Sequence, residues 1–222
     1  MEAAVLLNLT DYSVLEHVVF AAGCLLWVFT YVIVIRNVRR YDFIEIPLVA
    51  VCANFAWEFL WSFVFQTDMG SLYIWGYRIW FFLDCFIVFG LLRYGYKQIP
   101  YDLLRRTAGL VTLAVMASWF VGLYFYIDLY DAPVTHMGAN SGYILNVVMS
   151  ALYIPLFMRL GKDEVFSYAA AWYKGVGTLL ISVFCFLHFT DGFLLTMCVV
   201  TGLLDVGYVA YLTVRRIARV AA

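Results

Sequence analysis

Two acidic residues, Glu58 and Asp205, lie inside runs apolar enough to cross a membrane. Glu58 falls in 47–65 (PLVAVCANFAWEFLWSFVF), and Asp205 falls in 193–213 (FLLTMCVVTGLLDVGYVAYLT). A third acid, Asp84, sits near the middle of the run 73–92. Each run approaches the roughly 20 residues that a helix needs to span the hydrocarbon of a bilayer. An ionisable side chain at that depth is costly, so it normally faces the protein interior and pairs, relays protons or serves a reaction. Removed from water, a carboxyl group favours its neutral form, and a neutral carboxylic acid can donate a proton. The chemistry open to these residues is proton transfer in a water-poor site.

Their helical neighbours sharpen this. Three and four positions from Glu58 stand Asn54, Phe55, Trp61 and Ser62; around Asp84 stand Trp80, Phe81, Ile87 and Val88; around Asp205 stand Thr201, Gly202, Tyr208 and Val209. Much of this surface is aromatic, and aromatic faces attract cations most strongly where water is excluded. The bland alternative for each acid is a hydrogen bond between helices. It weighs most for Asp84, which has Arg78 six residues before it, though on a different helical face. Asn54 and Asn146 fit helix–helix hydrogen bonding.

The elements that must position these groups follow from composition. The 222 residues are 65% hydrophobic and 13% charged, against about 25% charged in soluble domains. The expected fold is an all-α membrane protein, one domain over 1–222, with seven transmembrane helices near 17–35, 47–65, 73–92, 108–127, 142–158, 169–189 and 193–213. Thirteen of the fourteen Lys and Arg residues fall on one side of these spans, Lys174 and Lys162 being counted at the fifth-to-sixth connection. The opposite side carries Glu2, Asp11, Glu16, Asp68, Asp128, Asp131 and Asp191. The positive-inside rule then puts the N-terminus outside and the C-terminus in the cytosol. The first span lacks a basic leader and a small-residue cleavage site, so it reads as retained. His17, near a span end, is expected in water. The five cysteines, Cys24, Cys52, Cys85, Cys185 and Cys198, all lie in apolar runs without a CxxC motif and are expected to pack as free thiols. A net charge of −1 and the absence of a separate basic patch give no sign of nucleic-acid binding.

The sequence contains no DDxxD, DxDD, HExxH or GxSxG motif, and no lysine in the last span. Magnesium-assisted diphosphate ionisation, metalloprotease and serine-hydrolase chemistry and a retinal Schiff base are thus unsupported. The stretches Gly23-Cys-Leu-Leu-Trp27, Pro47-Leu48, Cys52-Ala-Asn54-Phe-Ala-Trp57-Glu58 and Leu204-Asp205-Val206-Gly207-Tyr208 resemble the integral-membrane terpene cyclases. These serve fungal meroterpenoid and indole-diterpene pathways, with bacterial relatives that cyclise prenylated indoles. The resemblance implies that Glu58 and Asp205 form an acid pair, Glu58 donating a proton and Asp205 bonding and tuning it, with the two roles exchangeable. Asp84 stands outside the family pattern. The implied reaction protonates a terminal epoxide or alkene of a prenyl chain on an aromatic or meroterpenoid head group, and the cation then closes rings by successive olefin attack. No metal or organic cofactor is implied. The implied partners are the prenylated substrate and the lipid bilayer, with no obligate protein partner.

Helical spacing and this resemblance together place Asn54 and Asp84 in possible support of the acids, and Trp57, Trp61, Trp80, Phe81 and Tyr208 on the cavity wall. Buried paired carboxylates also suit a proton-coupled transporter, and that reading stands as the alternative. The expected location is a bacterial inner membrane or a eukaryotic internal one.

Overall fold

The computed structural model describes residues 5–99, 101–160 and 164–221, without the side chains of 103 and 219–221. Glu2, Lys162 and the side chain of Arg219, which enter the orientation argument, lie outside this set. The described residues are 84% helix, with no strand among them. Seven principal helices run in order: α1 (Val14–Tyr41), α2 (Leu48–Val64), α3 (Ser71–Tyr94), α4 (Ala108–Thr135), α5 (Ala139–Leu160), α6 (Tyr168–His188) and α7 (Gly192–Ala221). All but α2 are long and apolar enough to cross a membrane. The second expected span is instead a shorter apolar helix, whose last five residues, Leu60–Val64, widen into a π turn just beyond Glu58.

The helix ends have local causes. Ser13 and Glu16 form a reciprocal capping box that starts α1, and Asp42 ends it in the left-handed conformation. Gly70, at φ +117°, opens α3, and a Cβ there would lie 2.6 Å from the Leu6 carbonyl oxygen. The close approach lets the N-terminal segment pair with the α2–α3 turn, through Asn8 N to Met69 O at 2.9 Å and Ser71 N to Val5 O at 3.0 Å. Under this cover His17 is buried, not solvated as expected. Its Nδ1 meets the Tyr73 hydroxyl, and its Nε2 meets the Asn8 carbonyl, each at 3.0 Å.

The helices form a ring in the spatial order α1–α6–α7–α5–α2–α3 and back to α1, with α4 packed outside against α2. The α1–α6 crossing is the closest. A Cβ on Gly23 would stand 2.8 Å from the Gly177 carbonyl oxygen, the intimate contact that small residues allow between membrane helices. Inside the ring, α1, α2, α3, α5 and α6 enclose a cavity.

Candidate active site

The cavity wall is built mostly of rings. Helix α1 supplies Phe20, Trp27 and Tyr31; α2 supplies Asn54, Trp57 and Glu58; α3 supplies Tyr77 and Trp80; α5 supplies Tyr143, Asn146 and Met149; and α6 supplies Ile181 and Cys185. Tyr77 lies 5.5 Å from Trp57 and 5.6 Å from Trp80 between ring centroids. Trp57 is held from behind. Its Nε1 donates to Ser141 Oγ at 2.7 Å, and Ser141 donates through both its hydroxyl and its backbone N–H to the fully buried Asp131. Asp131 also accepts from Thr135 Oγ1 and Asn140 N, fixing the start of α5. Gly138 leaves space for the indoles, since a Cβ there would sit 2.6 Å from Trp61 and 2.9 Å from Trp57.

Glu58 is 1% exposed. Its Oε1 accepts two hydrogen bonds, one from the Tyr31 hydroxyl and one from Asn54 Nδ2 at 2.9 Å. Asn54 also donates to the Tyr31 oxygen. Glu58 Oε2 has no partner among the described residues. Two donors thus hold Oε1 in place while Oε2 carries no such restraint, in a residue that lines an aromatic cavity.

Asp205 is elsewhere. It does not hydrogen-bond Glu58, and it does not line the cavity. Lys174 Nζ reaches its two oxygens at 2.6 and 2.8 Å, and Ser150 Oγ donates to Oδ1 at 2.7 Å. Lys174 also donates to Ser150 at 2.7 Å, which closes a three-residue cluster across α5, α6 and α7. The expected Glu58–Asp205 hydrogen bond gives way for a physical reason: Lys174 is buried inside α6, not at a loop, and a buried ammonium takes the carboxylate that faces it. Lys174 therefore leaves the set of loop charges. Its ammonium also lies 5.6 Å from the Trp27 ring.

Asp84, buried at 2% exposure, lines a small void beside the cavity with Thr30, Tyr31, Asn54 and Tyr153. Its Oδ2 has no partner among the described residues. Arg78 is not its counter-ion; that guanidinium donates to the Ser62 carbonyl at 3.3 Å and covers the Trp75 ring at 4.7 Å.

Of the expected wall residues, Trp57 and Trp80 line the cavity, as does Asn54. Trp61 is buried behind Trp57, 6.5 Å away between rings. Phe81 stands off the cavity in a cluster with Phe55, Phe59 and Phe63. Tyr208 packs on Tyr153 at 4.9 Å, on the α5–α7 side. Tyr31 and Ser150 were not among the expected site residues, and Lys174 was expected at the fifth-to-sixth connection. Tyr31 could have been found one helical turn beyond Trp27, and Lys174 as a charge inside the apolar stretch AAAWYKGVGTLL. Among the described residues, no group of three His, Cys, Asp or Glu side chains converges as metal ligands would.

Fold and site together describe an intramembrane cavity walled by aromatics around a buried acid. Residues 8–216 match the Pyr4-like transmembrane terpene cyclases, and the chain belongs to that family of multi-pass membrane proteins. It is 28% identical over 120 residues to the Pyr4-family terpene cyclase mfmH of Annulohypoxylon moriforme, covering 54% of this chain and 48% of the relative. It is 26% identical over 99 residues to the terpene cyclase trt1 of Aspergillus terreus, covering 43% and 47%. The terpene cyclase spyD of Aspergillus fumigatus is 25% identical over 126 residues, covering 56% and 53%. The chain thus spans about half the length of these curated relatives. No solved structure matches it.

Proposed function

We propose that this chain is a membrane terpene cyclase in which Glu58 starts the reaction as a general acid. The observation that carries the reading is the division of labour at the carboxyl of Glu58, a cavity-lining residue: Oε1 is held by Tyr31 and Asn54, while Oε2 has no partner among the described residues. The substrate is a linear prenyl chain on an aromatic or meroterpenoid head group, admitted from the bilayer. Oε2–H protonates its terminal epoxide or alkene, internal double bonds attack the resulting cation in turn, and loss of a proton or capture by an internal nucleophile ends the cascade. Trp27, Trp57, Tyr77 and Trp80 offer the cation π faces in place of water, and the enclosure folds the chain so that the reacting carbons meet. Initiation and ring closure on this route call on protein side chains alone.

In this reading all seven helices, α2 included, cross the bilayer as one domain, with the N-terminus outside and the C-terminus in the cytosol. A proton-coupled transporter is the alternative use of buried carboxylates, and family membership favours the cyclase.

The test feeds farnesyl and geranylgeranyl aromatics, with and without a terminal epoxide, to membranes containing the protein. Products are sought as cyclised isomers of unchanged mass by mass spectrometry and NMR. Glu58→Gln keeps the shape and removes the acid, so cyclisation should fall by on the order of 100-fold or more. A Glu58→Gln protein that cyclises at the wild-type rate would sink the assignment.

A further inference from the structure

Most polar groups of the cavity wall are bonded within the protein. Tyr31 and Asn54 donate to Glu58, Trp57 donates to Ser141, Tyr77 donates to the Met137 carbonyl, and Tyr143 bonds Ser182. Among the described residues, the enclosed side-chain polar atoms that line-forming residues leave without a partner are Glu58 Oε2 and Asn146 Oδ1. Asn146 was expected to bond between helices, yet its side chain makes no hydrogen bond among the described residues. Its position on α5 belongs to the cavity face: Gly142, Leu145, Asn146 and Met149 all line the cavity and follow one another at helical spacing. An enclosed acceptor without a donor is costly, so this amide calls for a partner that the protein does not supply.

Resting on the cyclase reading above, we propose that Asn146 binds the substrate by accepting a hydrogen bond from its aromatic head group, so that this enzyme takes head groups with a free phenol O–H or ring N–H. The polarity of the atom selects the chemistry. An amide oxygen accepts and does not donate. A prenyl chain carries no donor, and a terminal epoxide is itself an acceptor. Before any bond is broken, the donor on such a substrate is therefore the head group's. Glu58 then serves the terminal end of the chain and Asn146 the head, within one cavity. This gives the chain a direction. Aromatic walls hold an apolar chain equally well either way round, whereas a fixed head decides which end reaches the acid. The other cavity amide, Asn54, is engaged with Tyr31 and Glu58. A head group whose donor is methylated leaves Oδ1 unpaired, and a site built around a hydrogen bond discriminates against a ligand that lacks it.

The test uses probes that cannot cyclise, so it reads binding apart from the chemistry at Glu58. Purified protein in nanodiscs is titrated with two pairs of tritiated probes, and bound probe is counted by scintillation proximity. One pair is a phenol carrying a saturated farnesyl chain and its methyl ether; the other is an indole carrying the same chain and its N-methyl form. The quantity read is the affinity ratio within a pair, corrected for partition into empty nanodiscs. Wild type should favour the donor-bearing member of at least one pair by roughly 10-fold, as one hydrogen bond does, and that pair identifies the head group. Asn146→Leu keeps similar bulk without the amide and should lose this factor while still binding the methylated member. If Asn146→Leu folds poorly, Asn146→Ala serves with the same expectation. A wild type without preference in both pairs overturns the proposal. So does a preference that persists undiminished in Asn146→Leu, because it then comes from cavity shape or another residue. A merely structural role for Asn146 would weaken both members of a pair alike and leave the ratio intact, which also overturns it. Failure of the cyclase reading shows in a different assay, as wild-type membranes that yield no cyclised isomer from the feeding panel, so the two failures are told apart.

Discussion

At the scale of residues, two buried acids of the same type meet different fates because of their neighbours. Asp205 faces an ammonium and is held by it at 2.6 and 2.8 Å, whereas Asp84 faces an amide and a phenol. A buried ion pair is weak evidence for stability, but breaking one leaves a charge stranded. Lys174→Met or Asp205→Asn alone is expected to cost about 3–5 kcal/mol of stability, read as thermal unfolding in detergent. Lys174→Met combined with Asp205→Leu removes both charges and should recover most of that loss. The double variant also decides what Asp205 does. If it still cyclises substrate, Asp205 is a structural partner of Lys174. If it is stable and silent, Asp205 has the acid role that family resemblance implies.

At the scale of elements, what was legible depended on whether a contact lies within one helix or between several. All seven apolar runs are helices, since hydropathy and length are local properties. The Asn54–Glu58 bond was readable because the residues are one turn apart on one helix. The Lys174–Asp205–Ser150 cluster joins three helices, and no local spacing encodes which faces meet. The extents of the helices were also hidden, because caps set them: α1 begins at Val14 through Ser13 and Glu16, ahead of the expected span start at 17. Helix α1 shows how packing reaches the site. Gly23, Trp27 and Tyr31 follow one another at four-residue spacing, so the close crossing at Gly23 sets how far Tyr31 stands from Glu58. Gly23→Ala puts a methyl 2.8 Å from the Gly177 carbonyl oxygen and 2.7 Å from Ile181 Cγ1. It should destabilise the fold by about 1–3 kcal/mol, as overpacking does, and lower the cyclisation rate as well. Gly122→Ala on α4 meets nothing within 4 Å and should gain up to about 1 kcal/mol from helix propensity. Opposite shifts in melting temperature for the same substitution at two sites check the crossing.

At the scale of the whole molecule, the end of the ring opposite the N-terminal cover is tied by a single carboxyl in the α1–α2 connection. Glu45 is buried, accepts from Asn37 Nδ2 at 3.1 Å on α1, and accepts from Ser167 N at 2.7 Å at the start of α6. It joins parts of the chain 122 residues apart. Burial pushes its pKa up from 4.5 to about 7, while the Ser167 N–H and the Asn37 amide pull the other way without cancelling it. The sign of the consequence follows. The folded state holds this proton more tightly than the unfolded state, so Glu45's contribution to stability is complete below about pH 4.5 and is lost as pH rises through about 7. The shift corresponds to about 3 kcal/mol across that window. Above it the carboxylate must stay buried on two hydrogen bonds, and the ends of α1 and α6 that it joins are the first to part. Wild-type protein in detergent should therefore lose melting temperature between pH 5 and pH 8. Glu45→Gln, uncharged throughout and still able to accept a hydrogen bond, should hold nearly level over the same interval. A decline of equal size in both proteins would place the pH sensitivity in another group. A level Gln variant would make this one buried carboxyl the main source of the fold's pH dependence in that range.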